Sequence, residues 1–283
     1  MLDQGTVLPG GYRVSGVLGR GSLADVYAVV GPTGQAYAVK MLHDRFVGDA
    51  HSVARFEAEA DMLASVRHHA VIGYRSRGAW GRRPFLVMEV GRGRDLASEL
   101  SREAPFGAAW VRQIGLGLLD AVLALHQHGI VHRDIKPANV FVADDAAGLR
   151  VQVIDLGSGA RISEPKTIAT FESDRLTPPG RVMLTPHYAS RESLTGVWNR
   201  DPRGDLYAVA VLMFQMLTGH LPFDHADQAE LIRRIVSTAA PPLSVFGTAP
   251  SDISALVERA LDVDTERRFP DAASMRDALH ACV

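Results

Sequence analysis

Eight residues, His132 to Asn139, gather side chains able to move a phosphoryl group. Asp134 is an acceptor suited to a hydroxyl proton, Lys136 is a point charge two residues on, and Asn139 is a neutral oxygen donor for a hard cation. A second carboxylate, Asp155, follows the apolar run Val151 to Ile154 and precedes Leu156 and Gly157. Two oxygen ligands at separate strand ends, with a base between them and a lysine beside it, suit phosphoryl transfer with magnesium. Gly129 to Val131 on one side and Val140 to Val142 on the other enclose the stretch, so the chemistry is displayed from a buried frame.

The elements that must position these groups can be read from periodicity. Ile114, Leu118, Val122 and Leu125 recur at helical spacing, and a helix to Gln127, closed by Gly129, delivers the chain to His132. Gly115 and Gly117 each cost that helix about 1 kcal/mol relative to alanine, which implies close packing of another backbone there. Nearer the start, Tyr12 to Leu18 alternates, Gly19 to Asp25 carries two glycines, and Val26 to Val30 is β-branched and aromatic: strand, glycine loop, strand. A dinucleotide fingerprint would open a helix after its glycines, so the context selects a different phosphate cover. Gly19 and Gly21 would let backbone N–H groups approach phosphates without a Cβ in the way. Lys40 sits in the apolar run Ala38 to Leu42, either snorkelling at an edge or buried with a carboxylate partner. Ser52 to Val66 has helical spacing, and Glu59 borders its apolar stripe, whereas Glu57 faces further round.

Taken together, these strings resemble the serine/threonine protein kinases, most closely the bacterial receptor-type (Hanks-type) group. The resemblance runs from Tyr12 to about Leu279 and implies an α+β, bilobal protein-kinase-like fold: a small antiparallel β-sheet lobe, residues 1–90, and a helical lobe, residues 91–283. It implies ATP and Mg2+ or Mn2+ as cofactors, with Asn139 and Asp155 holding the metal. Asp134 would accept the hydroxyl proton, Lys136 would neutralise the moving phosphoryl group, and Lys40 paired with Glu59 would hold the α- and β-phosphates. Leu18, Gly19, Gly21, Val26, Ala38, Met88, Glu89, Val90 and Gly91 would line the nucleotide site, Met88 guarding its back. Thr185 would help hold Asp134 and Lys136, Asp205 would bond the catalytic-loop backbone, and Glu192 would pair with Arg268. Ser158 to Thr185 would be the activation segment, with Thr167, Thr170 and Thr177 as candidate phosphosites and Arg133 as the group that grips their phosphate. Three departures from the family pattern stand out: Ala24 for the third loop glycine, which puts loop flexibility in question, Leu184 for a glycine, and Arg191 for a proline.

Composition bounds the alternatives. At 283 residues, 47% hydrophobic and 22% charged, the chain is of ordinary globular type, and a net charge of −2 makes no case for a nucleic-acid partner. The single cysteine, Cys282, excludes an intrachain disulfide. Met1 to Gly10 lacks the features of a secretory signal, and the longest apolar stretch, Leu206 to Leu217, is short for a span of roughly 20 residues. The expectation is a cytoplasmic kinase without a membrane segment, ending before the span that many relatives carry, acting on unidentified protein substrates and pairing with a second copy for autophosphorylation. Arg67 to Arg83 reads as a solvated turn between strands, with docking of an acidic partner as the lesser reading. Among rivals, an aminoglycoside-type phosphotransferase would share Asp134, Asn139 and Asp155, but Lys136–Pro137 and Thr185 to Glu192 favour a protein substrate. A tyrosine kinase usually lacks a lysine two residues after the base. A pseudokinase serving as a nucleotide-gated binding module would usually have lost Lys40, Asp134 or Asp155, and all three are present.

Overall fold

The computed structural model describes residues 1–145, 148–162, 186–195, 200–247 and 249–282. They fall into two compact units, Met1–Gly91 with Asp155–Gly157, and Arg92–Ile154 with Ser158–Val283.

The first unit is a six-stranded antiparallel sheet: β1 (Val7–Leu8), β2 (Tyr12–Arg20), β3 (Ala24–Val30), β4 (Ala36–Leu42), β5 (Tyr74–Trp80) and β6 (Arg83–Met88), in the order β1-β2-β3-β4-β6-β5. Strand alternation divides its side chains. Tyr27, Val29, Val39, Met41, Phe85 and Val87 point to one face, where Leu2, Leu8, Tyr12, Val14 and Tyr37 close a core over them. Ala38 and Lys40 therefore point to the other. Helix α1 (Ala50–Ser65) packs against β5 and β6, burying Phe56, Glu59, Ala60, Met62 and Leu63. Asp49 caps it by accepting from the His51 and Ser52 N–H groups.

Part of the Arg67 to Arg83 stretch departs from the solvated turn expected of it. Tyr74–Trp80 is the edge strand β5, and Arg83 is buried with Nε donating to the Leu42 carbonyl at 2.9 Å. The strand was hidden because its half-buried positions are Tyr74, Ser76 and Gly78, with arginines between them, so its alternating burial leaves no apolar period in the sequence.

In the second unit, helix α2 (Leu96–Glu103) is followed by α3 (Ala108–Gln127), whose Val111, Ile114, Leu118, Leu119, Val122 and Leu125 have no exposed surface. Each such side chain contributes about 1.5–3 kcal/mol relative to exposure. Helix α3 packs against the helices Arg203–Thr218 and Ala272–Ala281 and against strand β10 (Gly148–Val153). Gly115 and Gly117 do make room for close neighbours, but those are side chains rather than another backbone. A Cβ on Gly115 would lie 2.8 Å from Leu279 Cδ2, and one on Gly117 would lie 2.7 Å from Val151 Cβ. By length and hydropathy α3, not Leu206 to Leu217, could cross a membrane, and half of the qualifying window is buried inside the protein. Among the described residues the remaining strands are β7 (Arg94–Asp95), β8 (Ile130–Val131), β9 (Val140–Asp145) and β11 (Ala160–Arg161). They form a sheet β10-β9-β7 and a pair β11-β8, which bracket the stretch from His132 to Asn139.

Candidate active site

In the first unit the sheet and α1 bring three charged side chains together. Lys40 lies between Val26 of β3 and Leu86 of β6. Its Nζ donates to Glu59 Oε1 at 2.6 Å, Glu59 Oε2 at 2.8 Å and Asp155 Oδ1 at 2.7 Å. The Lys40 and Glu59 side chains are 13% and 5% exposed, so this is the buried-cation alternative rather than a snorkelling edge lysine. Burial alone would push the Lys40 ammonium down, but the charges of Glu59 and Asp155 more than reverse this and hold it above the usual lysine range. Burial pushes Glu59 up; Lys40 pulls it down and Asp155 pushes it further up, leaving it at about 7. For Asp155, burial is outweighed by the Lys40 charge and the bonds from Lys40 and the Gly157 N–H, and its carboxyl lies well below the usual range. Gly157 lies close against this triad: a Cβ there would meet Asp155 Oδ1 at 3.0 Å and Lys40 Nζ at 3.2 Å, so those side-chain ends would have to shift by a few tenths of an ångström.

The glycine loop joins β2 to β3. Gly21 N–H donates to the Ala24 carbonyl at 2.9 Å, and that oxygen would lie 2.8 Å from a Cβ on Gly21, so the turn itself requires this glycine. At Gly19 a Cβ would meet nothing within 4 Å, so the fold does not ask for it. Leu18 is 53% exposed, whereas Ala38 is buried. Ala24 pairs with Leu42 in the regular β3–β4 ladder and is not among the positive-φ residues. An alanine there therefore carries no backbone strain. Met88 ends β6 opposite Ala38, and the Glu89 N–H donates to the Gly73 carbonyl at 2.8 Å. That leaves the Glu89 carbonyl, with the backbone of Val90 and Gly91, as the polar groups this segment has to offer.

In the second unit the stretch from His132 onward is held from several sides. Arg133 has φ 66°, a left-handed conformation that a residue with a long side chain adopts only when its surroundings impose it. Asp205, 2% exposed in the first turn of the Arg203–Thr218 helix, accepts the His132 N–H and the Arg133 N–H, each at 2.8 Å. His126 Nε2 lies 2.9 Å from the same carboxylate. Burial pushes Asp205 up, but His126 and the His132 N–H outweigh it and keep the carboxyl below its ordinary range. Fully buried His132 accepts the Asp134 N–H at Nδ1, so its Nε2 carries the proton and donates to the Ile154 carbonyl at 3.2 Å. The Ile154 N–H in turn donates to the Asn139 carbonyl at 2.9 Å. The residue directly before Asp155 is thus tied twice to this stretch.

Lys136 Nζ donates to Asp134 Oδ2 at 2.7 Å, and Asn139 Nδ2 donates to the Asp134 carbonyl at 2.8 Å and to Oδ2 at 3.1 Å. Two side chains within five residues of Asp134 thus converge on its carboxylate. With its nitrogen committed, Asn139 offers its side-chain oxygen elsewhere. Among the described residues no group of three or more His, Cys, Asp or Glu side chains is set to hold a metal. Each unit supplies one side-chain oxygen of the kind magnesium takes, a cation usually bound by one or two carboxylates and completed by phosphate and water. Asp155 fits that requirement: Oδ1 is taken by Lys40 and Gly157, while 42% of the side chain stays exposed.

Further out, Arg268 donates from Nη1 and Nη2 to Glu192 at 2.8 and 3.3 Å, and from Nε to the Asp262 carbonyl at 2.8 Å. Arg191, where a proline was expected, is an exposed first residue of the short helix Arg191–Leu194 and leaves this pair intact. Thr167, Thr170, Thr177, Leu184 and Thr185 lie outside the described residues. Nothing in the sequence singles out His126 as part of the site. A histidine in the last turn of an apolar helix is ordinarily explained by the helix dipole, and nothing in its spacing points to Asp205.

A family model described as a protein kinase domain matches residues 12–280. Serine/threonine-protein kinase pkn2 of Myxococcus xanthus is 34% identical over 281 residues, covering 97% of this chain and 33% of that protein. PknL of Mycobacterium tuberculosis is 31% identical over 245 residues, covering 86% of this chain and 58% of the relative. The probable kinase PknB of Lactococcus lactis is 28% identical over 280 residues, covering 97% and 42%. The chain therefore spans only part of the length of these curated relatives. The fold is shared with the crystal structure of the Mycobacterium tuberculosis PknI kinase domain, with a TM-score of 0.71 at 24% identity and 99% coverage of both chains. With that model matched over nearly its whole length, the chain belongs to the protein kinase domain family.

Proposed function

We propose that this chain transfers the γ-phosphoryl group of ATP to serine or threonine hydroxyls of proteins, residues 1–90 handling the nucleotide and residues 91–283 the acceptor. The observation that carries the reading is the Asp134 carboxylate, held by Lys136 at 2.7 Å and Asn139 at 3.1 Å through one oxygen. Its other oxygen is left to take the proton of an acceptor hydroxyl, and Lys136 stands where charge builds on the transferring group. Lys40, kept cationic between Glu59 and Asp155, meets the α- and β-phosphates under the Gly19–Gly21 loop. The adenine rests against Leu18, Val26, Ala38 and Met88 and bonds the backbone of Glu89 to Gly91. Asp155 and Asn139 would hold magnesium, which would supply neutralisation of the phosphate charge. Relatives named as serine/threonine kinases support the acceptor class.

Arg133 is the proposed reader of a phosphorylated Thr167, Thr170 or Thr177, since Asp205 fixes its backbone beside Asp134. The test is incubation of the purified chain with γ-labelled ATP, magnesium or manganese and a basic protein acceptor, followed by phosphoamino-acid analysis. Label on serine and threonine, absent with Asp155→Asn, is expected. Label on tyrosine, or equal label with that variant, would reject the reading.

A further inference from the structure

The tip of the glycine loop is not a free hairpin. Past the end of β4, the His43 N–H donates to the Leu23 carbonyl at 2.9 Å and Arg45 Nη2 donates to the Ser22 carbonyl at 2.8 Å. The His43 ring reaches Asp25, with Nε2 3.0 Å from Oδ1, both side chains being mostly buried at 19% and 14% exposure. Asp25 Oδ2 also accepts the Tyr27 hydroxyl at 3.3 Å, and that hydroxyl oxygen accepts the Leu2 N–H at 3.2 Å. The His43 ring stacks on Phe46, and the Arg45 guanidinium lies 4.8 Å over the same ring. Two backbone carbonyls at the loop tip are therefore bonded from the turn Asp44–Phe46 and its flank, which leads into α1 and Glu59. Burial pushes the Asp25 carboxyl up, but the His43 ring and the Tyr27 hydroxyl outweigh it and leave the group below its usual range.

We propose that Asp25, His43 and Arg45 are positioning residues that latch the loop over the nucleotide phosphates, so that nucleotide affinity is set by how firmly its tip is held to the turn after β4. This rests on the phosphoryl-transfer reading. It also accounts for Ala24: a loop held by its flank in a regular ladder needs no third glycine to adopt its shape. None of the three side chains is needed to touch the reacting atoms. Releasing them lengthens the list of conformations that the nucleotide must select from, a cost in binding rather than in the chemical step.

The test has two arms on the full chain. Amide hydrogen exchange without nucleotide is measured at Gly21 and His43 in wild type, His43→Ala and Arg45→Ala. The latch predicts exchange faster by about tenfold at both amides, with the protection of β6 unchanged. Steady-state kinetics then predict an ATP KM raised about three- to tenfold with kcat within about twofold, and recovery in His43→Lys, which keeps an N–H donor facing Asp25. Unchanged exchange in both variants, or an unchanged KM with accelerated exchange, overturns the latch. If wild type transfers no phosphate the kinase reading fails, whereas the exchange arm still decides whether the loop tip is held.

Discussion

Asp205 accepts the backbone N–H of Arg133 at 2.8 Å, and Arg133 has φ 66°. The two facts belong together: a left-handed conformation at a non-glycine residue costs of order 1–3 kcal/mol, and a buried carboxylate bonded to two successive N–H groups is what holds it. Because Asp134 is the next residue, the direction of the proposed base is set from the first turn of a helix more than seventy residues away in sequence.

Asp205→Asn keeps one acceptor but loses the charge that His126 and both N–H groups face. The expected result is a fall in kcat of about 10- to 100-fold with the ATP KM within about threefold, because the damage lies on the acceptor side. Asp205→Ala, which strands His126 and two buried N–H groups, is expected to lower stability by about 3 kcal/mol or more in urea denaturation.

Glu59, at about 7, gives a pH dependence whose sign can be worked out. Below that value Glu59 is protonated and no longer pairs with Lys40 as an ion, so kcat/KM for ATP is expected to fall as pH drops through about 7. Stability runs the other way. The folded pKa lies above the ordinary 4.5, so folding takes up a proton between the two values. This contribution to stability is greatest at low pH and declines as pH rises from 4.5 to about 7. Glu59→Gln should remove both slopes; a kcat/KM profile that keeps its limb near 7 in that variant assigns the limb to another group.

The two loop glycines should separate. Gly21→Ala drives a methyl group to 2.8 Å from the Ala24 carbonyl, so the turn must open. Faster loop exchange and weaker ATP binding are expected together. Gly19→Ala meets nothing in the fold, so thermal stability should stay within about 0.5 kcal/mol while the ATP KM rises, because only a bound phosphate would meet the new methyl group.

Arg268 is 2% exposed and satisfies Glu192 and the Asp262 carbonyl while lying 4.9 Å over the Tyr207 ring. Arg268→Ala leaves a mostly buried carboxylate without its cation and should cost about 3–5 kcal/mol, visible as a lower melting temperature by calorimetry. Arg268→Lys should recover only part of this, since one ammonium cannot reproduce the fork.

The parts of the site legible in the sequence are those whose geometry is local. Asp134, Lys136 and Asn139 converge within six residues, and Glu59 is fixed by the helical period of α1, so spacing alone brings them near their partners. Lys40 was legible as a cation in an apolar strand, although the sequence left open whether it was buried. What was not legible depends on long separations with no period. His126 with Asp205, His43 with Asp25, and the cover that Leu2 and Leu8 lay over the sheet are contacts between segments whose own composition explains them equally well without the contact. The strand Tyr74–Trp80 was hidden for a related reason: its burial alternates, but the half-buried positions are Tyr74, Ser76 and Gly78, so no apolar period marks it in the sequence.

The central claim concerns the Asp134 carboxylate, and single-turnover transfer from γ-labelled ATP to a protein acceptor tests it most directly, with Asp134→Asn compared at matched nucleotide occupancy. The account predicts an unchanged ATP affinity to within about threefold and transfer slower by about 10² to 10⁴, the range expected when a positioned general base is removed. Transfer by Asp134→Asn at the wild-type rate, or no transfer by wild type with ATP bound, would contradict it.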